Sequence, residues 1–197
     1  ESDVPNPISA YGASKLMIEM MCKDYMTAYG LSSVELRYFN AAGEDREGEV
    51  GELREKETHI VPLAINAARQ GKTFKIFGDK YPTEDGTCVR DYVHVMDLAD
   101  AHIKALNYAS DKLTSEVFNL GSGAPASNKQ LLDTVQKYTG KMNIEMWGNR
   151  PGDPAYLVAD IEKAKTQLGW KPTQSSIDNV VSTAVQWYNK THKKDIQ

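Results

Sequence analysis

Segments with helical spacing alternate with short strand-like segments along this 197-residue chain. In residues 33–40, Val34, Leu36 and Tyr38 occupy every second position, which is the pattern of a strand with one buried face. The helical segment before this strand ends at Gly30, a residue type that commonly terminates helices. Because strands that alternate with helices are typical of parallel sheets, the pattern predicts an α/β fold.

Potential caps and turn residues divide the rest of the chain into further elements. Asn6-Pro7 predicts the start of the first helix, Asp97 is a predicted N-cap, and Ser127 with Gln130 predicts a capping box. Residues 43–57 are acidic and aperiodic, which predicts a surface loop, with an acidic binding segment as the alternative. The other predicted helices cover 58–69, 97–109, 127–139, 160–168 and a last segment from Ser175, and the other predicted strands cover 73–77, 89–95, 117–120 and 144–147.

Charge and composition argue against several classes of protein. The chain carries 23 basic and 27 acidic residues, a net charge of -4, without a basic stripe, so nucleic acid is not an expected partner. Its apolar runs are far shorter than the roughly 20 residues that cross a bilayer, so no membrane contact is expected. Cys22 and Cys88 fit no metal or redox spacing and the histidines are scattered. We therefore expect no metal site, and two buried thiols in a reducing cytoplasm.

Tyr11 and Lys15 stand four residues apart near the start of the chain, a spacing that places both side chains on one face of a helix. An ammonium group beside a phenol favours the phenolate and makes it a usable acid or base. The pair is similar to the catalytic signature of the short-chain dehydrogenase/reductases. A tyrosine on a helix is more often a packing residue, so the surrounding sequence has to decide between these interpretations.

Residues 121–126, Gly-Ser-Gly-Ala-Pro-Ala, match the G-x-G-x-x-A spacing of dinucleotide-binding loops. The segment follows a predicted strand, precedes a predicted helix and has Glu145 about 20 residues further on. However, Pro125 has no N–H to offer a pyrophosphate, and the motif follows the Tyr11–Lys15 pair, whereas such a loop opens a dinucleotide-binding fold. A tight strand-to-helix turn is therefore the preferred interpretation, with nucleotide binding as the alternative.

Several segments resemble the UDP-glucose 4-epimerases of the extended short-chain dehydrogenase/reductase family, and they occur in the family's order. They are residues 11–17 (YGASKLM), 36–43 (LRYFNAAG), 81–99 (YPTEDGTCVRDYVHVMDLA), 118–121 (FNLG) and 150–153 (RPGD). Tyr-x-x-x-Lys alone is a short pattern that recurs by chance, whereas the 81–99 segment is long and specific. Together the segments extend over nearly the whole chain.

The resemblance implies an NAD-dependent isomerase that converts UDP-galactose and UDP-glucose into each other through a 4-keto sugar. The family binds NAD in an N-terminal Rossmann domain and the UDP-sugar in a smaller α/β domain, and it forms homodimers. By this resemblance, residues 1–40 would be the last part of the Rossmann domain, and residues 41–197 would mainly form the UDP-sugar-binding domain. Residues 97–120 would pack back on the Rossmann domain.

The glycine-rich loop that binds NAD in the family is missing upstream of Tyr11, and the chain begins with Glu1 rather than Met. The Ser or Thr that usually accompanies the Tyr-Lys pair is missing as well. We therefore expect a C-terminal fragment that is inactive and free of NAD by itself, whose N-terminal part was removed or is a second polypeptide. The alternatives are a non-catalytic UDP-sugar-binding or assembly module, and a related UDP-N-acetylhexosamine or UDP-pentose 4-epimerase.

The resemblance also implies a role for individual residues. Tyr11 would exchange a proton with the sugar 4-hydroxyl, Lys15 would support it and bind the nicotinamide ribose, and Tyr38 would lie beside the nicotinamide. Leu157 would line the sugar pocket, where a bulky residue disfavours N-acetylated sugars. The other implied substrate contacts are Asn40, Arg90 and Arg150 for the diphosphate, His59, Ile60, Lys75 and Phe77 for the uridine and ribose, Asp153 for a ribose hydroxyl, and Tyr92 beside the site.

Structural explanations compete with several of these roles. Arg90 could instead form an ion pair with Asp85 or Asp91, which lie close to it in sequence. His94 and His102 are expected to be structural. The other open explanations are a turn or cap for Asn40, an exposed loop position for Arg150 and the core for Phe77.

Overall fold

The computed structural model describes residues 1–150 and 152–192 and confirms the predicted α/β class. The helices of this described part are α1 (Ala10–Tyr29), α2 (Ile60–Arg69), α3 (Val95–Asp111), α4 (Asn128–Thr139), α5 (Glu162–Gln167) and α6 (Ile177–Thr191). The strands are β1 (Ser33–Tyr38), β2 (Asn40–Ala42), β3 (Phe74–Phe77), β4 (Val89–Arg90), β5 (Tyr92–His94), β6 (Ser115–Leu120), β7 (Ala126–Ser127), β8 (Ile144–Trp147) and β9 (Tyr156–Leu157). Pro151 and residues 193–197 lie outside the described residues.

Most of the strands pair in parallel, as the alternating pattern predicts. The parallel pairs are β1 with β6, β2 with β5, β3 with β8, and β4 with β9, whereas β4 and β7 are antiparallel. The predicted strand 89–95 is interrupted at Asp91, so that its two halves, β4 and β5, pair with different partners. This interruption carries the chain from one small sheet to another beside the residues predicted to bind substrate.

Buried apolar side chains of the described residues form two clusters. One cluster joins α2, α4 and α6 around Leu131, Val180 and Ile65. The other surrounds the fully buried Phe118 and Trp170 and includes side chains of β1, α3 and β6. In this second cluster, α3 and β6 pack with β1. The assignment of residues 1–40 and 41–197 to separate domains stays a prediction.

The predicted capping box of α4 is confirmed. The Ser127 hydroxyl accepts the Gln130 N–H at 3.0 Å, and the Gln130 side chain accepts the Ser127 N–H at 2.8 Å. Both contacts lie within four residues of sequence, so the local pattern was sufficient to identify them. The helix ends at Gly140, also as predicted.

Other predicted helix starts are wrong because different side chains hold the first N–H groups. The first helix begins after Ser9 rather than Asn6, since the Ser9 hydroxyl accepts the Gly12 N–H at 3.1 Å. His94 caps α3 by accepting the Met96 N–H, and α6 is capped by Ser176.

Asp97 and Ser175, the predicted starts of α3 and α6, are instead bonded to each other. The buried Asp97 carboxylate accepts the Ser175 hydroxyl at 2.5 Å and the N–H groups of Thr173 and Gln174, each at 2.9 Å. The pair joins the first turn of α3 to the segment before α6.

The first helix, α1, is exposed along its whole length. Even its best-covered residues are only partly buried, and Met17, Met20 and Tyr29 are each at least 60% exposed. In the described part of the chain, β1 pairs with β6 on one side and has no partner on the other. The helix and the strand edge therefore present apolar and hydrogen-bonding groups to solvent. None of the described helices combines the length and the hydropathy needed to cross a membrane.

Candidate active site

A cleft of about 360 Å³ lies where the carboxyl end of β1 and the strand β2 face the start of α2. Ligands of parallel α/β sheets bind at the carboxyl ends of the strands, so this is the expected place for a site. Predicted site residues that line the cleft together are Tyr11, Tyr38, Asn40, His59, Ile60 and Tyr92. They come from separate parts of the sequence, and the fold brings them to one wall.

Tyr11 and Lys15 lie on one face of α1, as their spacing predicts. The Lys15 ammonium is 5.2 Å from the centroid of the Tyr11 ring, and the Tyr11 side chain is 74% exposed. Both residues also line an open groove between α1 and β1, which continues to Tyr38. The Tyr11 phenol is therefore accessible both from the cleft and from the groove. A ligand in the cleft and a second ligand in the groove could both reach it.

Tyr38 is oriented by His102, a residue that the sequence analysis treats as structural. The Tyr38 hydroxyl lies 2.7 Å from His102 Nε2, and His102 Nδ1 lies 2.7 Å from the carbonyl oxygen of Leu98. Since a carbonyl can only accept, Nδ1 carries the proton, and in the neutral ring Nε2 accepts from Tyr38. Partial burial raises the pKa of the Tyr38 phenol. Because 64 residues separate this pair in sequence, no local pattern indicates it.

Asn40 and Tyr92 are fixed to the floor of the cleft by the backbone. The Asn40 N–H donates to the carbonyl oxygen of Asp91 at 2.8 Å, and Asn40 is in register with Tyr92 in the β2–β5 pair. The Tyr92 ring is buried, and burial raises the pKa of its phenol. Asn40 is thus a strand residue rather than a turn or cap, and its side chain is available to a ligand in the cleft.

Arg90 forms its ion pair with Asp153, not with Asp85 or Asp91. Its guanidinium donates to Asp153 Oδ1 at 2.5 Å and to the carbonyl oxygen of Pro154 at 2.9 Å. Because 63 positions separate the two residues in sequence, the local sequence suggests only the nearby Asp85 and Asp91 as ion-pair partners. The buried Cys88 thiol lies 3.7 Å from the second Asp153 oxygen, Oδ2. In this state, therefore, Arg90 is held against the segment that carries Asp153.

Asp91 instead holds two neighbouring segments in place. Its buried carboxylate accepts the Ser122 N–H at 2.5 Å and the Ala159 N–H at 3.2 Å. A Cβ on Gly121 would lie 2.3 Å from the same carboxylate, so this position requires glycine. The N–H groups of Ser122 and Ala124 in the G-x-G-x-x-A segment are thus used internally, by Asp91 and by the Ser122 hydroxyl. The turn interpretation of residues 121–126 explains these contacts, and nucleotide binding is not needed.

Lys75, Phe77 and Arg150 form a second group at the ends of β3 and β8. Arg150 is an exposed loop residue, the alternative considered for it, and its guanidinium lies 3.9 Å from the centroid of the Phe77 ring. Lys75 lies over the ring of Trp147, a residue that the sequence analysis did not select. Leu157 is half-exposed and pairs in register with Arg90.

An acidic group at the mouth of the cleft was also missed. The buried Glu44 carboxylate accepts the Glu52 N–H at 2.7 Å, and the Glu52 carboxylate lies 2.9 Å from His59 Nδ1. Burial raises the pKa of Glu44 to about 7. Glu52, Glu57 and His59 lie close enough together to hold a metal ion, although Arg54 already pairs with Glu52. Except for His59, these residues belong to the 43–57 loop, and the acidic character of the loop alone does not show that it folds against the cleft.

His94 lies behind this group, and its buried ring explains a glycine in the loop. A Cβ on Gly43 would approach the His94 ring to 2.4 Å, and Gly43 has a φ of +77°. His94 Nε2 lies 3.0 Å from the Thr183 hydroxyl, which also accepts the Glu44 N–H. Burial lowers the pKa of His94. The residue is therefore a structural one, as expected.

Comparison with known proteins identifies the family of this arrangement. The model of the NAD dependent epimerase/dehydratase family matches residues 1–121. The chain belongs to that family. It is 46% identical over 197 residues to the UDP-glucose 4-epimerase of Rhizobium meliloti (strain 1021), a match that covers 98% of this chain and 59% of the relative.

Solved structures agree with the sequence relatives. The UDP-glucose 4-epimerase of Brucella ovis in complex with NAD superposes with a TM-score of 0.90 at 41% identity, over 94% of this chain and 58% of that one. The UDP-glucose-4-epimerase of Stenotrophomonas maltophila with bound NAD and formylated UDP-arabinopyranose superposes with a TM-score of 0.92 at 32% identity. This match covers 98% of this chain and 59% of that one. These matches confirm the predicted fold class, the last elements of a Rossmann domain with a smaller α/β domain. The chain spans less than three fifths of the length of these relatives.

Proposed function

We propose that this chain is the part of an NAD-dependent UDP-hexose 4-epimerase that supplies the acid/base pair and binds the UDP-sugar. The observation that carries the proposal is the cleft in which Tyr11, with Lys15 beside it, faces Asn40 and His59. A phenol next to an ammonium can exchange a proton with a hydroxyl, and the amide and imidazole can hold the rest of a polar ligand. The similarity to UDP-glucose 4-epimerases supports UDP-galactose and UDP-glucose as the substrates.

Tyr11 is the proposed proton acceptor for the sugar 4-hydroxyl, and it returns the proton when the opposite configuration forms. Lys15 stabilises the phenolate through its positive charge. When bound, NAD supplies the acceptor and donor of the hydride at C4. The residues that fit its nicotinamide end are Tyr11, Lys15 and Tyr38, because all three line the groove between α1 and β1. The His102 contact keeps Tyr38 in that position.

The nucleotide is assigned to the strand ends beside the cleft. A guanidinium fork is suited to the paired oxygens of a diphosphate, so Arg90 and Arg150 are the proposed clamp, with Asn40 as a third contact. Arg90 has to share its guanidinium with Asp153, the proposed partner of a ribose hydroxyl. Lys75 and Phe77 in β3 provide a cation and a flat ring for the uridine. Ile60 and Tyr92 contribute apolar walls to the cleft.

The test separates binding from catalysis. Calorimetric titration of the chain with UDP is expected to give one site, and Arg150→Ala is expected to weaken it roughly tenfold by removing a charge-assisted contact. For turnover, the chain is joined to the NAD-binding part of the Rhizobium meliloti relative and supplied with UDP-galactose. Tyr11→Phe in this chimera should lower kcat by about 10²–10⁴-fold, the usual contribution of a positioned acid/base, while UDP affinity stays unchanged.

Tyr29→Phe is the matched control, because Tyr29 is an equally exposed tyrosine at the other end of α1. Turnover that survives Tyr11→Phe would contradict the acid/base role. UDP binding without turnover in the chimera would favour the alternative, a UDP-sugar-binding module without catalysis. Absence of UDP binding would contradict the proposal as a whole.

Leu157 is the proposed limit on the sugar. The side chain is bulky, half-exposed and placed opposite Arg90 by the β4–β9 register, where an N-acetyl group on the sugar would compete with it for space. The chimera should therefore turn over UDP-galactose at least tenfold faster than UDP-N-acetylgalactosamine, a loss of about 1.4 kcal/mol. Leu157→Ala should reduce the difference. Equal turnover of both sugars by the unmutated chimera would favour a UDP-N-acetylhexosamine epimerase.

We further propose a homodimeric enzyme in the cytoplasm. The exposed apolar side chains of α1 are a suitable surface for a second subunit or for the rest of the Rossmann domain. Cys22 and Cys88 are both free thiols, which fits a reducing compartment. The mass of the chimera in solution, measured by light scattering, tests the dimer.

A further inference from the structure

Two aromatic side chains meet at the ends of the parallel strands β3 and β8. Phe77 and Trp147 are the last residues of these strands and are direct partners in the register. The Gly78 N–H donates to the Trp147 carbonyl oxygen at 2.8 Å, which continues the ladder past both residues. Since partners in register point to the same face of a sheet, both rings project from one side of this pair.

The two rings form an angled corner. Their centroids are 5.8 Å apart and their planes are inclined by 63°, so that the edge of one ring meets the face of the other. Trp147 is 43% exposed, although a tryptophan normally buries more of its large apolar surface. A flat ligand that stacks on one ring would meet the second ring at its edge.

A cation accompanies each ring. The Arg150 guanidinium lies 3.9 Å from the Phe77 centroid, and the Lys75 ammonium lies 4.1 Å from the Trp147 centroid. Proteins that bind single-stranded nucleic acids stack the bases on aromatic rings beside cations that attract the phosphates, and a single nucleotide offers the same two groups. The cluster therefore has the chemistry of a nucleoside diphosphate site on both strands, and not on β3 alone.

We infer that Trp147 is a second base-binding residue, which forms with Phe77 the corner that holds the base of the nucleotide. The inference rests on the proposed function, because it adds a residue to the proposed uridine site. Trp147 contributes contact area to the base and not charge to the diphosphate. Removal of the Trp147 ring therefore lowers the affinity for every ligand that carries a base and leaves the affinity for inorganic pyrophosphate unchanged.

The position of Trp147 also provides a direct signal. Of the three tryptophans, Trp170 is fully buried and Trp187 donates its indole N–H to the Glu52 carbonyl oxygen, whereas Trp147 is at the proposed site. UDP added to the chain should change the tryptophan emission, and Trp147→Phe should abolish the change. Because phenylalanine retains a ring, UDP affinity in this variant should stay within about threefold of the original.

The deciding experiment is calorimetry on the chain and on Trp147→Ala with UDP, UMP and pyrophosphate. If the base stacks on Trp147, Trp147→Ala should lose affinity for UDP roughly tenfold and affinity for UMP by the same factor, with unchanged pyrophosphate binding. Tyr29→Ala, which removes an exposed ring from α1, is the control and should change none of the three affinities.

Two outcomes would overturn the inference in different ways. If Trp147→Ala binds UDP as tightly as the original chain, Trp147 is not a base contact, and the proposed function is untouched. If the original chain binds UMP and UDP not at all, the inference and the proposed uridine site fail together. An equal loss for pyrophosphate in a variant that unfolds at the original temperature would also overturn it, because it would place Trp147 at the phosphates.

Discussion

At the scale of single residues, the cleft contains a buried acid whose charge costs stability. The Glu44 carboxylate accepts the Glu52 N–H and forms no ion pair within the described residues, and burial raises its pKa from 4.5 to about 7. Between these two values the folded chain holds a proton that the unfolded chain has released. Stability therefore falls as the pH rises from about 4.5 to 7, and it does not recover above that range.

Glu44→Gln is predicted to remove this pH dependence. The amide oxygen can still accept the Glu52 N–H, and the side chain no longer ionises. Urea unfolding should show the variant more stable than the original by about 2–3 kcal/mol at pH 8, with the difference shrinking towards pH 5. Glu47→Gln, an exposed glutamate in the same loop, is the matched control and should unfold like the original at both pH values. If the variant exceeds the original in unfolding free energy by the same amount at pH 5 and at pH 8, Glu44 is already ionised at pH 5.

At the scale of helices and strands, the sequence predicted a helix start correctly where its capping hydrogen bonds join residues that are close in sequence. The capping box of α4 was identified because both of its bonds join Ser127 and Gln130. Asp97 has the same potential as a cap, but distant N–H groups at 173 and 174 use its carboxylate. A sequence without a fold cannot rank a near donor against a distant one, so element types were predicted better than their starts.

The candidate site shows the same limit. Tyr11 and Lys15 could be paired from their spacing, since a helix fixes which residues share a face. The Arg90–Asp153 and Tyr38–His102 contacts join residues 63 and 64 positions apart, and for Arg90 the sequence suggests the nearer acids Asp85 and Asp91 instead. Trp147 and the acidic loop residues carry no motif at all, so their place at the site depends on the register and on chain packing.

At the scale of the whole molecule, the chain exposes surfaces that a complete α/β domain covers. Helix α1 contacts the β1–β6 pair on one side only, and Met17, Met20 and Met21 are more than half exposed. Parallel sheets are normally covered on both faces and extended at their inner edges. The G-x-G-x-x-A turn does not replace the missing dinucleotide-binding loop, because its Ser122 N–H is bonded to Asp91.

The 197-residue chain is therefore predicted to hold UDP but no stoichiometric NAD by itself. Tyr11, Lys15 and Tyr38 can contact the nicotinamide end, but the glycine-rich segment 121–126 is not among the residues that line this groove, and its Ser122 N–H is bonded to Asp91. Acid release followed by chromatography should find NAD(H) far below one equivalent in the purified chain, and close to one in the chimera with the Rhizobium meliloti NAD-binding part. Equimolar NAD(H) in the chain alone would mean that the groove between α1 and β1 binds the whole dinucleotide, and the proposed division of labour between the two parts of the enzyme would be wrong.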